Sequence, residues 1–230
     1  NENIVTIAQA SPVELVVDQQ PPEILDLETV NAQVSQVDGY NQAEIVFRVS
    51  ELLNQAPIVS VGGRMFQCVL SADEIYSCSY EVTEIDSELE GIQLVEVFVS
   101  DRQGNQGFDS IQINFDFSPP SIDDLTFTPR RAKAGQFVAL DINMNEPIVG
   151  IPSYQWTNNE EIDGLLLSEC ADSVCRFKYT VEEDLPDGLY QISQVFLADA
   201  VGNAGWVDTT SSRGLRIDTT SPVISDVLVH

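Results

Sequence analysis

Apolar and polar residues alternate with a period of two along most of the chain. Ala43, Ile45, Phe47 and Val49 are separated by Glu44, Val46 and Arg48, and Val138, Leu140, Ile142 and Met144 by Ala139, Asp141 and Asn143. Val95, Val97 and Val99 alternate with Glu96 and Phe98, and Ile111, Ile113 and Phe115 with Gln112 and Asn114. Successive side chains of a strand point to opposite faces, so these stretches predict strands with one buried face. No stretch has the i, i+3, i+4 spacing of a convincing amphipathic helix. Short strands punctuated by Gly, Pro and Asn turns, in units of about 100 residues, predict an all-β chain of antiparallel sandwiches.

The units repeat. VVDQQPPEI, NFDFSPPSI and RIDTTSPVI each read apolar strand end, Asp, three residues, Pro, one residue, Ile. Pro22 precedes Pro120 by 98 residues, and Pro120 precedes Pro222 by 102. Between these junctions Cys78 aligns with Cys175 and Gly91 with Gly188, both at an offset of 97, and Asn105 aligns with Asn203 at 98. SELLNQAP (Ser50 to Pro57) aligns with NEPIVGIP (Asn145 to Pro152), which pairs Glu51 with Glu146 at the end of the second strand. The organisation expected is the end of a preceding module or leader strand at 1–18, one unit at 19–117, a second at 118–220, and the start of a following module or a tail at 221–230. The chain reads as a piece of a longer secreted protein.

Charge and cysteines narrow the setting. The 37 Asp and Glu outnumber the 10 Lys and Arg, for a net charge of −27. Such a surface repels nucleic acid and anionic lipid, so no nucleic-acid partner and no direct membrane insertion are expected, and no apolar run reaches membrane-spanning length. Four Cys form two close pairs, Cys68 with Cys78 and Cys170 with Cys175. Neither pair is CxxC and no His lies near, which argues against zinc and for two disulfides made in an oxidising compartment. The one His is His230, the last residue, so no His-based triad or general base is available, and no catalytic residue is assigned. Adjacent carboxylates such as Glu160/Glu161 and Glu182/Glu183 carry no signal in so acidic a chain.

The order of motifs resembles the bacterial immunoglobulin-like domains strung in tandem along large secreted and surface proteins, many of them adhesins. The segments that carry it are VSELLNQAP, YSCSYEVTEID and EGIQLVEVFVSDRQGNQG, then MNEPIVGIP, CRFKYTVEED and DGLYQISQVFLADAVGNAG. The resemblance implies two tandem antiparallel Ig-like β-sandwiches, beads on a string. Each cysteine pair then lies within one hairpin, whereas antibody-type domains bridge their two sheets.

In such a sandwich the Asp-x-x-Gly-Asn segment joins the last two strands, F and G, with Phe108 and Trp206 opening strand G. Gly104 and Gly202 can take positive φ, and Asp101 and Asp199 can accept backbone N–H bonds, so a hairpin turn explains the motif. It is neither a P-loop nor an EF-hand. The same topology gathers Asp18, Glu51, Asp101 and Asn105 at one end of the first unit. It gathers Asp116, Glu146, Asp199 and Asn203 at the matching end of the second, where calcium would stiffen the junction. The turn and the calcium site both stand as readings, and no other cofactor is expected.

Three functions are compatible with this reading. The favoured one is an extracellular structural and adhesive spacer without catalysis, whose partners are neighbouring Ig-like modules of the same chain. The alternatives are a module that binds a cell-surface glycan or protein, using the TNNEEIDG segment (Thr157 to Gly164) or the aromatic residues Tyr154, Trp156 and Trp206, and an accessory pair of a secreted hydrolase. Trp156 aligns with Val61 on an apolar alternation, which predicts core packing rather than sugar stacking.

Overall fold

The computed structural model describes residues 18–71, 73–157, 162, 164–209 and 214–223. The strand expected before residue 18, most of the TNNEEIDG segment with Glu160 and Glu161, and the start of a third unit lie outside the described residues. The first run of elements is β1 (Ile24–Thr29), β2 (Gln33–Val34), β3 (Gln42–Val49), β4 (Ile58–Val61), β5 (Arg64–Met65), β6 (Gln67–Leu70), β7 (Tyr76–Glu81), a 3-10 helix (Glu84–Leu89), β8 (Gly91–Ser100) and β9 (Gln106–Phe115). The second run is β10 (Ile122–Thr128), β11 (Arg131–Ala132), β12 (Phe137–Met144), β13 (Ser153–Trp156), β14 (Leu166–Ala171) and β15 (Val174–Thr180), followed by β16 (Gly188–Tyr190), β17 (Ile192–Ala198), β18 (Ala204–Asp208) and β19 (Leu215–Ile217).

The two runs repeat one topology. Sheet β1-β3-β7-β6 matches sheet β10-β12-β15-β14 strand for strand. The partner sheet β2-β9-β8-β4-β5 is matched by two pieces, β11-β19-β16 and β13-β17-β18. The first strand of each run divides its allegiance. Its early part pairs antiparallel (β1 with β3, β10 with β12), and its continuation pairs parallel with the last strand (β2 with β9, β11 with β19). This is an immunoglobulin-like sandwich, made twice. The second copy is split because β8, a single ten-residue strand, is replaced by β16 and β17 with a break at Gln191. Beside that break Tyr190 donates its hydroxyl to the Pro186 carbonyl at 2.8 Å, tying the strand to the preceding corner.

By compactness the chain divides into two units. One comprises residues up to Asn31, Ala43–Tyr80 and Gln93–Ile113; the other comprises Ala32–Gln42, Glu81–Ile92 and the residues from Asn114 onward. In the first, Ala43, Ile45 and Phe47 of β3 and Val95, Val97 and Val99 of β8 are buried, together with Val59, Val61 and Ile113. In the second, one apolar cluster draws on both sheets. Val138, Leu140, Ile142 and Met144 of β12 meet Ile192, Val195 and Leu197 of β17 and Leu215 and Ile217 of β19. The inward positions are those the alternation marks, because burying one face is what selects the register of a strand.

Two local features differ from the sequence reading. The segment EIDSEL forms a 3-10 helix, and the Asp86 carboxylate accepts the Thr83 backbone N–H at 2.9 Å and the Thr83 hydroxyl at 3.1 Å. Six residues are too few to show a helical period, so alternation does not reveal it. Strands F and G also run further into their turns than expected. Phe108 and Trp206 sit two residues inside β9 and β18, because Ala198 pairs with Ala204 and the Asp101 N–H donates to Asn105.

The cysteines face one another across hairpins. Cys68 is the register partner of Cys78 between β6 and β7, and Cys170 of Cys175 between β14 and β15. Both pairs are bonded, with Cα atoms 4.0 and 4.1 Å apart.

Candidate functional site

The Asp-x-x-Gly-Asn loops are built from one hydrogen-bonded frame, used twice. Asp101 Oδ1 accepts the backbone N–H of Gln103 at 2.9 Å and of Asn105 at 2.8 Å, and Oδ2 accepts the Asn105 side-chain amide at 2.7 Å. Asp199 does the same with Val201 (2.9 Å), Asn203 (2.9 Å) and the Asn203 amide (2.7 Å). Gly104 and Gly202 hold φ of 92° and 86°, the left-handed region that a tight return demands. The Asn amides reach one step further. Asn105 donates to the carbonyl of Asp18 at 3.3 Å, and Asn203 to that of Asp116 at 2.8 Å. Each loop therefore grips the Asp of the segment that leads into its own sandwich, across 87 residues in both cases.

That grip creates two clusters of carboxylates. Asp18, Glu51 and Asp101 bring one oxygen each within 4.8 Å of one another, and so do Asp116, Glu146 and Asp199. Glu51 and Glu146 follow the ends of β3 and β12, as their alignment requires. Beside the second cluster Asn145 braces the neighbouring segment of the chain, since its Oδ1 accepts the Ser121 N–H at 2.7 Å. Asp101 and Asp199 are buried, and the two outer carboxylates of each set are partly exposed. Six of the eight residues expected to gather are thus brought together as oxygen donors. Asn105 and Asn203 are placed behind them, as amide donors that aim the Asp.

The electrostatics record the crowding. Burial, then Asp116 and Asp199, push the Glu146 carboxyl above its ordinary range, with the Asn145 side chain opposing. Burial, then Asp199 and Glu90, push Asp116 up. Burial, then Asp18 and Asp101, push Glu51 up. Asp101 moves the other way: burial would raise it, but the Asn105 amide and the backbone N–H groups of Asn105, Gln103 and Gly104 outweigh that and hold it low. Among the described residues no ion pair reaches any of these six carboxylates, while Arg48–Asp26 and Arg176–Asp141 pair elsewhere. In the first cluster Asp101 is held as the anion beside Glu51, which ionises reluctantly, and in the second Asp116 and Glu146 both ionise reluctantly.

The second loop is the more enclosed. Ser35 donates its hydroxyl to the Val201 carbonyl at 2.7 Å, and a Cβ on Gly202 would meet Val37 at 3.0 Å and Tyr40 at 3.3 Å.

The aromatic candidates separate by exposure. Trp156 packs against the core between Phe127 (6.3 Å between ring centroids) and Tyr190 (6.3 Å), and Tyr154 lies edge-on to Phe177 (5.7 Å). Trp206 stays exposed on the outer face and contacts Phe196 at 5.5 Å. The aligned pair Phe98–Phe108 repeats this arrangement at 4.8 Å. Alternation alone assigns Phe98 and Phe196 to the outer face; the ring contacts depend on the β8–β9 and β17–β18 pairings.

No protein-family model matches the chain, and no curated protein matches it. Among solved structures it is similar to a three-Ig tandem of titin in a Glu-to-Ala variant, with 15% identity over 87% of this chain and 66% of that one and a TM-score of 0.46. It is similar to a 1.5-MDa bacterial ice-binding adhesin studied for host cell surface retention, with 14% identity over 88% and 67% of the chains and a TM-score of 0.43. A Ca2+-stabilized adhesin with which an Antarctic bacterium binds ice gives 14% identity, 87% and 49% coverage and a TM-score of 0.38. The chain spans about two thirds or less of the length of these three. At such scores the likenesses add nothing to what the strand order establishes. Among the described residues no helix is long and apolar enough to cross a membrane.

Proposed function

We propose that the chain is a pair of non-catalytic Ig-like modules, 19–117 and 118–220, of a longer extracellular protein, in which they act as structural and adhesive spacers, and that each acidic cluster holds a calcium ion. The observation that carries this reading is the duplication. Two repeats that differ widely in sequence keep the same Asp, Asn, Glu and leading Asp in the same hydrogen-bonded frame. A turn alone needs the Asp, the Gly and the Asn; it does not need Glu51 or Glu146, each of which adds repulsion to its cluster.

The donor set fits a hard cation. Calcium takes six to eight oxygens at about 2.3–2.6 Å, so two ligands of one ion stand at most about 5 Å apart. The 4.8 Å limit within each cluster lies inside that span. Carboxylates, backbone carbonyls and water are the ligands such an ion takes, and the Asn amides would act from behind by fixing Asp101 and Asp199. The extracellular setting is supported by the two disulfides and the acidic surface.

The test is calorimetric titration of the chain with calcium, with melting curves in calcium and in chelator. Saturable binding and a raised Tm are expected, both abolished by Glu146→Gln with Asp199→Asn in the second cluster and Glu51→Gln with Asp101→Asn in the first. No saturable heat at millimolar calcium, with a Tm indifferent to chelator, leaves the loops as hairpin turns. The exposed pairs Phe196–Trp206 and Phe98–Phe108 favour a second reading, a glycan-binding face, which an array of neutral and charged glycans tests.

A further inference from the structure

The ten Lys and Arg of this chain are not spread evenly over its acidic surface. Arg131, Lys133 and Arg216 line one cleft of about 390 Å³, and Arg130 is next to it in the chain. Arg131 on β11 and Arg216 on β19 are register partners in a parallel pair, so two guanidinium groups leave adjacent strands side by side. Ala132, Leu215 and Ile217 between and beside them are buried, which turns Arg131, Lys133 and Arg216 to the outer face. Like charges placed opposite one another in a sheet are destabilising. Among the described residues none of Arg130, Arg131, Lys133 and Arg216 has an ion pair that would relieve this.

The fold does not require these charges. In the first repeat the same parallel pair is Gln33 with Asn114, both neutral. The chain thus contains its own control, a second copy of this strand pairing that works with amides. The basic cluster is an addition to the second repeat, and it sits in a shallow, open depression.

We propose that this cleft is a binding site for a compact, doubly charged tetrahedral oxyanion, a phosphate or sulfate, free or as an ester on a small molecule. Three cations and the Asp218 carboxylate at the rim leave a net charge of +2, which matches a dianion better than a carboxylate. Paired guanidinium forks suit the oxygens of a tetrahedral ion, and the Gln136 amide adds a neutral donor at the edge. The long-range field of a chain at −27 opposes an extended polyanion, whose distant charges lie over acidic surface, whereas a small anion feels mainly the cleft. The site shares no residue with the acidic clusters, so its test stands apart from theirs.

The experiment is titration of the whole isotope-labelled chain, followed by its backbone amide resonances. The probes are inorganic phosphate, inorganic sulfate, glucose 6-phosphate, glucose, acetate and a short single-stranded oligonucleotide. Saturable shifts at Arg131, Lys133 and Arg216 are expected with phosphate and sulfate, at dissociation constants on the order of millimolar, and none with glucose. Tighter binding of glucose 6-phosphate than of phosphate identifies an ester as the ligand, and equal binding identifies the free ion; both support the site. Arg131→Gln with Arg216→Asn installs the pair the first repeat already carries, so the fold is kept, Tm is unchanged or raised, and affinity falls at least about tenfold. Lys133→Gln, outside the paired positions, weakens binding independently. The proposal is overturned by non-saturable shifts, by binding that survives both variants, by acetate binding as well as phosphate, or by the oligonucleotide binding more tightly than the monophosphates.

Discussion

Replacing Glu146 by Gln tests the electrostatic account of the acidic clusters through a change of sign. Gln keeps the size of the side chain and removes one charge. Its partners Asp116 and Asp199 each have an oxygen within 4.8 Å of a Glu146 oxygen. At that distance the repulsion between two unit charges is about 3.5 kcal/mol at an effective dielectric of about 20 and about 0.9 kcal/mol in bulk water. Glu146 is partly exposed, so the lower end applies, about 1 kcal/mol for each partner and about 2 kcal/mol in all. In chelator E146Q is therefore expected to be more stable than the parent, with Tm higher by about 4–8 °C for a chain of this size. In calcium the order reverses. The parent gains about 2.7 kcal/mol at a free concentration one hundred times its dissociation constant, and the variant forgoes most of that gain. Differential scanning calorimetry of both proteins in chelator and in calcium reads all four values. A variant less stable than the parent in chelator refutes the repulsion; an order that calcium does not reverse refutes the ion.

The remaining expectations use other parts of the structure. Asp116 and Glu146 have raised carboxyl pKa values, so in chelator the folded state holds more protons than the unfolded chain, and their share of stability rises as pH falls from neutrality toward about 4.5. Asp101 and Asp187 are held low, Asp187 by the Thr220 and Thr219 hydroxyls and the Thr219 N–H, so their stabilisation is present above about pH 4 and is lost below it. A Tm profile with its maximum in mild acid, flattened by calcium, is the expected result; a profile rising steadily to pH 8 in chelator contradicts it. Gly107→Ala places a Cβ 2.0 Å from the Pro22 carbonyl oxygen and 2.9 Å from Val99, whereas the aligned Gly205→Ala meets only Pro119, at 3.7 Å. Denaturant unfolding should show a loss of about 3 kcal/mol or more for the first and less than about 0.5 kcal/mol for the second. Asn203→Ala removes the donor shared by Asp199 and the Asp116 carbonyl and is expected to cost about 2–3 kcal/mol, measured in the same way.

Much of this architecture is written locally. The alternation in Ala43–Val49 and Val138–Met144 marks the strands and their buried faces, because a half-buried strand must change face at every residue. The 98- and 102-residue spacing of Pro22, Pro120 and Pro222 announces the repeat. Cys68–Cys78 and Cys170–Cys175 are short enough loops for hairpin partners to be the evident choice. Asp101 and Asp199 as acceptors across their own turns follow from the same short range. The convergence of Asp18, Glu51 and Asp101 from three parts of the chain is written in no local pattern and follows only from the topology that the resemblance implies. What tertiary structure alone decided is the role of each group: Asn105 and Asn203 stand behind the carboxylates as donors because the leading segment passes within reach of their amides. Arg131 and Arg216 lie 85 positions apart and become neighbours only through a parallel register, which composition does not specify. Local patterns depend on period and on turn chemistry, both properties of adjacent residues, whereas a site depends on where a strand lands beside another, which the packing of the whole core selects.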